Sequence, residues 1–174
     1  MKKLLVCTLL FVLSDFSFSE TEVMKTLTLN VEIPDLDVDP YYRPYIAVWL
    51  ETSERKPVET LALWYQLPSE TATEDGRKWL KDLRQWWRKI GRQDGEALDA
   101  VTGATRKPGD YPIQWDYSKL VAGEYFMHVE ASREEGGRSF KRLPVRINDD
   151  LSLSLEKNII ESDGELGKIS VEVK

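Results

Sequence analysis

Apolar and polar residues alternate with period two along most of this chain, the pattern of strands buried on one face. Residues 25–33 place Leu27, Leu29, Val31 and Ile33 on one side. Residues 44–52 (PYIAVWLET) and 59–66 (ETLALWYQ) read as neighbouring strands, and the short charged stretch 53–57 between them suits antiparallel pairing. Further strand patterns occupy 111–117, 124–132, 139–148, 151–157 and 168–173. Turn residues separate them: Pro108-Gly109-Asp110, Ala122-Gly123, Glu135-Gly136-Gly137 and Asp163-Gly164. Residues 75–91 break the pattern, because Trp79, Leu80, Leu83, Trp86, Trp87 and Ile90 recur at helical spacing with basic residues largely opposite. Thr71 and Glu74 have capping-box spacing, Asp75 is a competing N-cap, and Gly91 is placed to end the helix. Roughly eight short strands with regular turns predict a mainly β fold: an immunoglobulin-like antiparallel β-sandwich with one inserted amphipathic helix.

The N-terminus reads as an address rather than as structure. Lys2 and Lys3 precede an apolar stretch over 4–13, and Ser17-Phe18-Ser19 offers small residues for cleavage before Glu20. This predicts a signal peptide over 1–19 and a single domain over 20–174. Cleavage removes Cys7, the only cysteine, so the exported chain must be held by its core without disulfides. The formal net charge of −6 becomes −7 once Lys2, Lys3 and Asp15 are lost, which argues against nucleic acid as a partner. No later stretch is apolar enough to span a membrane, and a periplasm is the expected location.

Charge is unevenly distributed within this acidic protein. Between Gly76 and Arg92 seven basic residues stand against the single acid Asp82. Arg106 and Lys107 then follow the most informative string in the chain, Asp99-Ala100-Val101-Thr102-Gly103-Ala104-Thr105.

That string has an acid, two spacers, a hydroxyl residue, Gly, Ala and a final Thr. A chance match to such a pattern in a chain of this length is expected about once in a thousand proteins. It resembles the acceptor sequence modified by FAD:protein FMN transferase, which joins FMN to the last Thr through a phosphoester. The resemblance implies covalent FMN on Thr105, with Asp99, Thr102, Gly103, Ala104 and Arg106 forming the surrounding acceptor site. Physically, Gly103 is conformationally permissive and Ala104 adds almost no bulk, so the segment can enter a transferase cleft. Asp99 can bond backbone amides or be read by the transferase. Where known acceptor sites often carry a further hydroxyl residue, this chain has Arg106-Lys107-Pro108.

The blocks RPYIAVWLE, TLALW, KWLKDLRQWWR, DAVTGATRKPGDY and VEASREEGGR cover most of the mature chain. They resemble an uncharacterised family of predicted periplasmic proteins, domain of unknown function 2271. The resemblance implies extracytoplasmic electron transfer, with FAD:protein FMN transferase and a membrane or periplasmic redox protein as partners. A tether has a physical rationale, because no flavin pool refills an empty site outside the cytoplasm. The rival reading is an immunoglobulin-like binding module without a cofactor, in which the string is an ordinary turn.

Other residues carry weaker signals. Trp86 and Trp87 point about 100° apart on a helix, which leaves one as a candidate flavin contact beside Arg88. Trp79 and the other member of the pair are assigned to core packing. Arg84, Arg88, Arg92 and Arg106 are candidates to meet a phosphoester or an acidic partner, with a solvated helix face as the bland alternative. Asp35, Asp37 and Asp39 alternate but lack the Gly and Glu of a calcium loop, and read as solvated edge acids. His128, the only histidine, reads as an exposed or hydrogen-bonded strand residue. Gly136-Gly137-Arg138 reads as a hairpin turn. No triad, acid/base pair or metal cluster stands out, so the chain reads as a carrier rather than an enzyme.

Overall fold

The structure is a computed structural model that describes residues 25–68, 75–93 and 101–173. The signal segment, Thr71, Glu74 and Asp99 lie outside the described residues. Among the described residues ten strands form two sheets: β1 (Thr26–Ile33), β2 (Tyr45–Thr52), β3 (Pro57–Tyr65), β4 (Thr102–Ala104), β5 (Gly109–Asp116), β6 (Gly123–Ser132), β7 (Arg138–Ile147), β8 (Leu153–Leu155), β9 (Ile159–Ile160) and β10 (Ile169–Val173). One sheet runs β5-β1-β10-β9 and the other β4-β3-β2-β6-β7-β8. Every ladder is antiparallel except β3–β4, which is parallel. The protein is thus a β-sandwich, as the alternation predicts.

The inward faces of the two sheets meet over Leu27, Leu29 and Val31 of β1, Ile46, Val48 and Leu50 of β2, and Met127 and Val129 of β6. Each such side chain contributes about 1.5–3 kcal/mol on burial. The six-stranded sheet is buried on its outer face as well. There Ala47, Trp49, Leu63 and Tyr65 pack against Leu80, Leu83, Trp86 and Ile90 of the helical segment. This explains why β2 is apolar almost throughout: alternate residues face two different cores.

The predicted helix exists but is not one continuous α-helix. Gly76–Asp82 is 3₁₀, Arg84–Trp86 is a single α turn and Trp87–Gly91 is a π turn. Asp75 is the N-cap, its carboxylate accepting from the Arg77 N–H at 2.9 Å. The break falls at the fully buried Leu83, whose backbone (φ −74°, ψ 71°) is not helical. A reason lies beneath it in β6. The fully buried Glu130 carboxylate accepts the N–H groups of Gln85 and Trp86, each at 3.0 Å. In an uninterrupted α-helix those two amides would bond to the carbonyls of Lys81 and Asp82. Arg138 donates to the same carboxylate at 2.8 Å and balances its charge.

Candidate functional site

Within the acceptor string, Thr102–Ala104 forms a sheet strand rather than a loop. Thr102, Gly103 and Ala104 pair in parallel with Leu63, Trp64 and Tyr65, and the next residue is held too, since the Thr105 N–H donates to the Tyr65 carbonyl at 3.1 Å. β4 is the terminal strand of the six-stranded sheet, with Thr102 and Gly103 half-buried and Ala104 exposed. Gly103 is absent from the glycines with left-handed backbone. What it supplies is room: a Cβ there would lie 3.3 Å from Cδ1 of Trp64, itself buried in the inter-sheet core.

Register then determines what Thr105 faces. Tyr65 lies beside Ala104, Tyr45 opposite Ser132, and Ser132 opposite Arg138, so one end of the sheet presents these positions in a row. The helical segment crosses the outer face beside that row. Between them and the residues preceding β2 lies a cleft of about 710 Å³. Thr105 lines it, half-buried, together with the aromatic residues Tyr41, Tyr42, Tyr45 and Trp79. The volume falls within the range of sites that take small molecules and cofactors.

The far wall is the β6–β7 hairpin, whose turn is closed by Arg133 N–H to the Gly137 carbonyl and Gly136 N–H to the Arg133 carbonyl, both 3.1 Å. It is pinned from behind by the buried Glu165, which accepts from Arg133 Nε at 2.8 Å and from the Gly137 N–H at 2.7 Å. The cleft's arginines therefore differ. Arg133 and Arg138 are paired with Glu165 and Glu130, whereas Arg43 and Arg84 have no ion pair among the described residues.

The remaining predicted residues are not all brought to this cleft. Arg106 turns away from it and lays its guanidinium over Trp64 and Tyr111, at 4.3 and 4.9 Å from the ring centroids. Trp86 has no exposed surface and donates its indole N–H to Thr60 at 3.2 Å, so it offers a ligand no face. Trp87 is half-buried and, with Arg88 and Arg92, lines a neighbouring basic groove that shares Arg84 and Arg138 with the cleft. Trp79, assigned to the core from its spacing, is instead 36% exposed and faces the cleft. The helical break accounts for this, because a 3₁₀ turn rotates Trp79 away from the stripe an α-helix would form.

Two further expectations change. Asp35, Asp37 and Asp39 are exposed but sit beyond the end of β1 rather than in it. His128 is buried, stacked between Trp49 (4.8 Å, 13°) and Phe140 (5.5 Å, 18°), and neither ring nitrogen has a hydrogen bond. Burial holds its pKa down to about 4 against the opposing pull of Glu51, while Arg142 and Lys89 push in the same direction as burial. Among the described residues no His, Cys, Asp and Glu side chains gather in threes as metal ligands, and no helix is long and apolar enough to cross a membrane.

Sequence reasoning missed Tyr41, Tyr42 and Tyr45, and assigned Trp79 to the core. The signal available was the density of aromatics in Tyr41-Tyr42-Arg43-Pro44-Tyr45, too many for an ordinary turn. Fold and cleft together define a two-sheet β-sandwich capped by a broken helix, with an aromatic cavity at one end. Residues 26–168 match the model of a family described as predicted periplasmic protein, DUF2271, and the chain belongs to that family. The family's description agrees with the export signal read from the N-terminus. No curated protein and no solved structure matches the chain.

Proposed function

We propose that this protein is a periplasmic electron carrier bearing FMN covalently on Thr105. The observation that carries the reading is that Thr105, the last residue of an acceptor-like string, follows directly on the terminal strand of the sheet and lines a cofactor-sized aromatic cleft. In the attachment, Thr105 Oγ1 bonds to the FMN phosphorus of FAD, and the phosphorus–oxygen bond to the AMP half breaks. AMP leaves with the bridging oxygen, and the hydroxyl proton passes to a base of the FAD:protein FMN transferase. The bound FMN supplies electron-transfer chemistry.

The chain's own residues do the rest. The Tyr65 carbonyl fixes the Thr105 backbone, the small Gly103 and Ala104 admit the transferase, and Arg43 and Arg84 meet the phosphoester's negative charge. A membrane or periplasmic redox protein is the recurrent partner. Co-expression with a flavin transferase tests the reading: a fluorescent band should survive denaturing electrophoresis and vanish in Thr105→Ala while persisting in Ser154→Ala, on β8 at the opposite edge of the sheet. A dark wild-type band, or one that survives Thr105→Ala, refutes it.

A further inference from the structure

The cleft contains more aromatic surface than a tether alone requires. Trp79 lies on a short 3₁₀ segment and is 36% exposed, although the same segment buries Leu80 against the sheet. Tyr42, on the segment preceding β2, lines the same cleft and is 37% exposed, and Tyr41 and Tyr45, which also line it, are half-buried. Large aromatic side chains left open toward one concavity mark a surface kept for a flat apolar partner. Lys78 Nζ and Lys81 Nζ lie over the Trp79 ring, 5.0 and 5.6 Å from its centroid, and steady the indole from its own segment, while Arg84 lines the cleft.

From these positions we infer that the isoalloxazine of the Thr105-linked flavin is housed in this cleft, stacked on Trp79, among the tyrosines that also line it. The inference rests on the acceptor reading and adds to it the place where the ring sits. Because Thr105 itself lines the cavity, the linker need not leave it to deliver the ring. The ring is then shielded on its faces, while the adjoining basic groove of Lys81, Arg88 and Arg92 lies open for an acidic redox partner at the cleft's edge. Stacking on an indole quenches flavin fluorescence, and that gives a readout independent of attachment.

The test uses the full chain co-expressed with a flavin transferase. Intact mass verifies loading, and native fluorescence is then measured per attached flavin. Wild type should be several-fold dimmer than free FMN. Trp79→Leu should keep the added mass and brighten several-fold, Tyr42→Leu should brighten less, and Trp87→Leu, outside the cleft, should stay dim. A loaded wild type as bright as free FMN, or equal brightness in wild type and Trp79→Leu, overturns the ring placement and leaves the attachment standing. A wild type without added mass overturns the attachment and this placement together.

Discussion

The backbone N–H of Thr105 donates to the carbonyl of Tyr65 at 3.1 Å, and this bond couples the proposed attachment residue to a sheet. The main chain one residue past β4 is thereby held in the lining of the cleft, which Tyr45 and Gln66 also line. Sheet register, helix position and the Arg133–Glu165 pair all act on the same cavity.

The Glu130 carboxylate joins helix to sheet, and its loss should be felt strongly. Removing it leaves the Gln85 and Trp86 N–H groups without their acceptor in a buried place, so Glu130→Ala should cost about 2–4 kcal/mol. Glu130→Gln keeps an acceptor oxygen and should recover part of that loss. Urea titrations of the two variants check the order.

Gly91 ends the helical segment against two indoles. A Cβ there would stand 2.5 Å from Trp87 Cε3 and 2.7 Å from Trp86 Cζ3, and the fully buried Trp86 has nowhere to move. Gly91→Ala should therefore destabilise the protein by about 2 kcal/mol, against the small gain expected at an open helical position. A thermal melt that rises instead would contradict this packing.

Acid should weaken the fold through His128. Its pKa falls from 6.5 when unfolded to about 4 when folded, chiefly by burial, with Glu51 opposing and Arg142 and Lys89 reinforcing. The unfolded chain thus takes up a proton first, so this contribution is complete above pH 6.5 and is lost as pH falls through about 4, up to about 3 kcal/mol in all. His128→Phe preserves the stack with Trp49 and Phe140 and should flatten the stability profile in that window. Denaturation midpoints measured across it provide the check.

Much of this was legible beforehand. The long strands followed from alternation because each has one face on the inter-sheet core, and the turn glycines bounded them closely. β4 and β9 were missed because three and two residues carry no period, and β4 exists only by pairing with Trp64 and its neighbours. The helical segment was visible, but its break at Leu83 was not, since the cause is Glu130, forty-four residues away from Trp86. Trp79 was assigned to the core for that reason: spacing read on an ideal α-helix places it wrongly once the first turns are 3₁₀. The expectation that one of Trp86 and Trp87 is buried is met by Trp86. The acceptor string was readable as local sequence. The cleft was not, because Tyr41, Tyr45, Trp79, Thr105 and Arg133 meet only through register and the hairpin.

The central claim concerns one hydroxyl group, and an intact-mass spectrum of protein exported from cells that contain a FAD:protein FMN transferase addresses it directly. The account predicts a wild-type chain heavier by one esterified FMN and a Thr105→Ala chain at the plain polypeptide mass. A wild-type chain at the plain mass, or the same gain in both proteins, would contradict it.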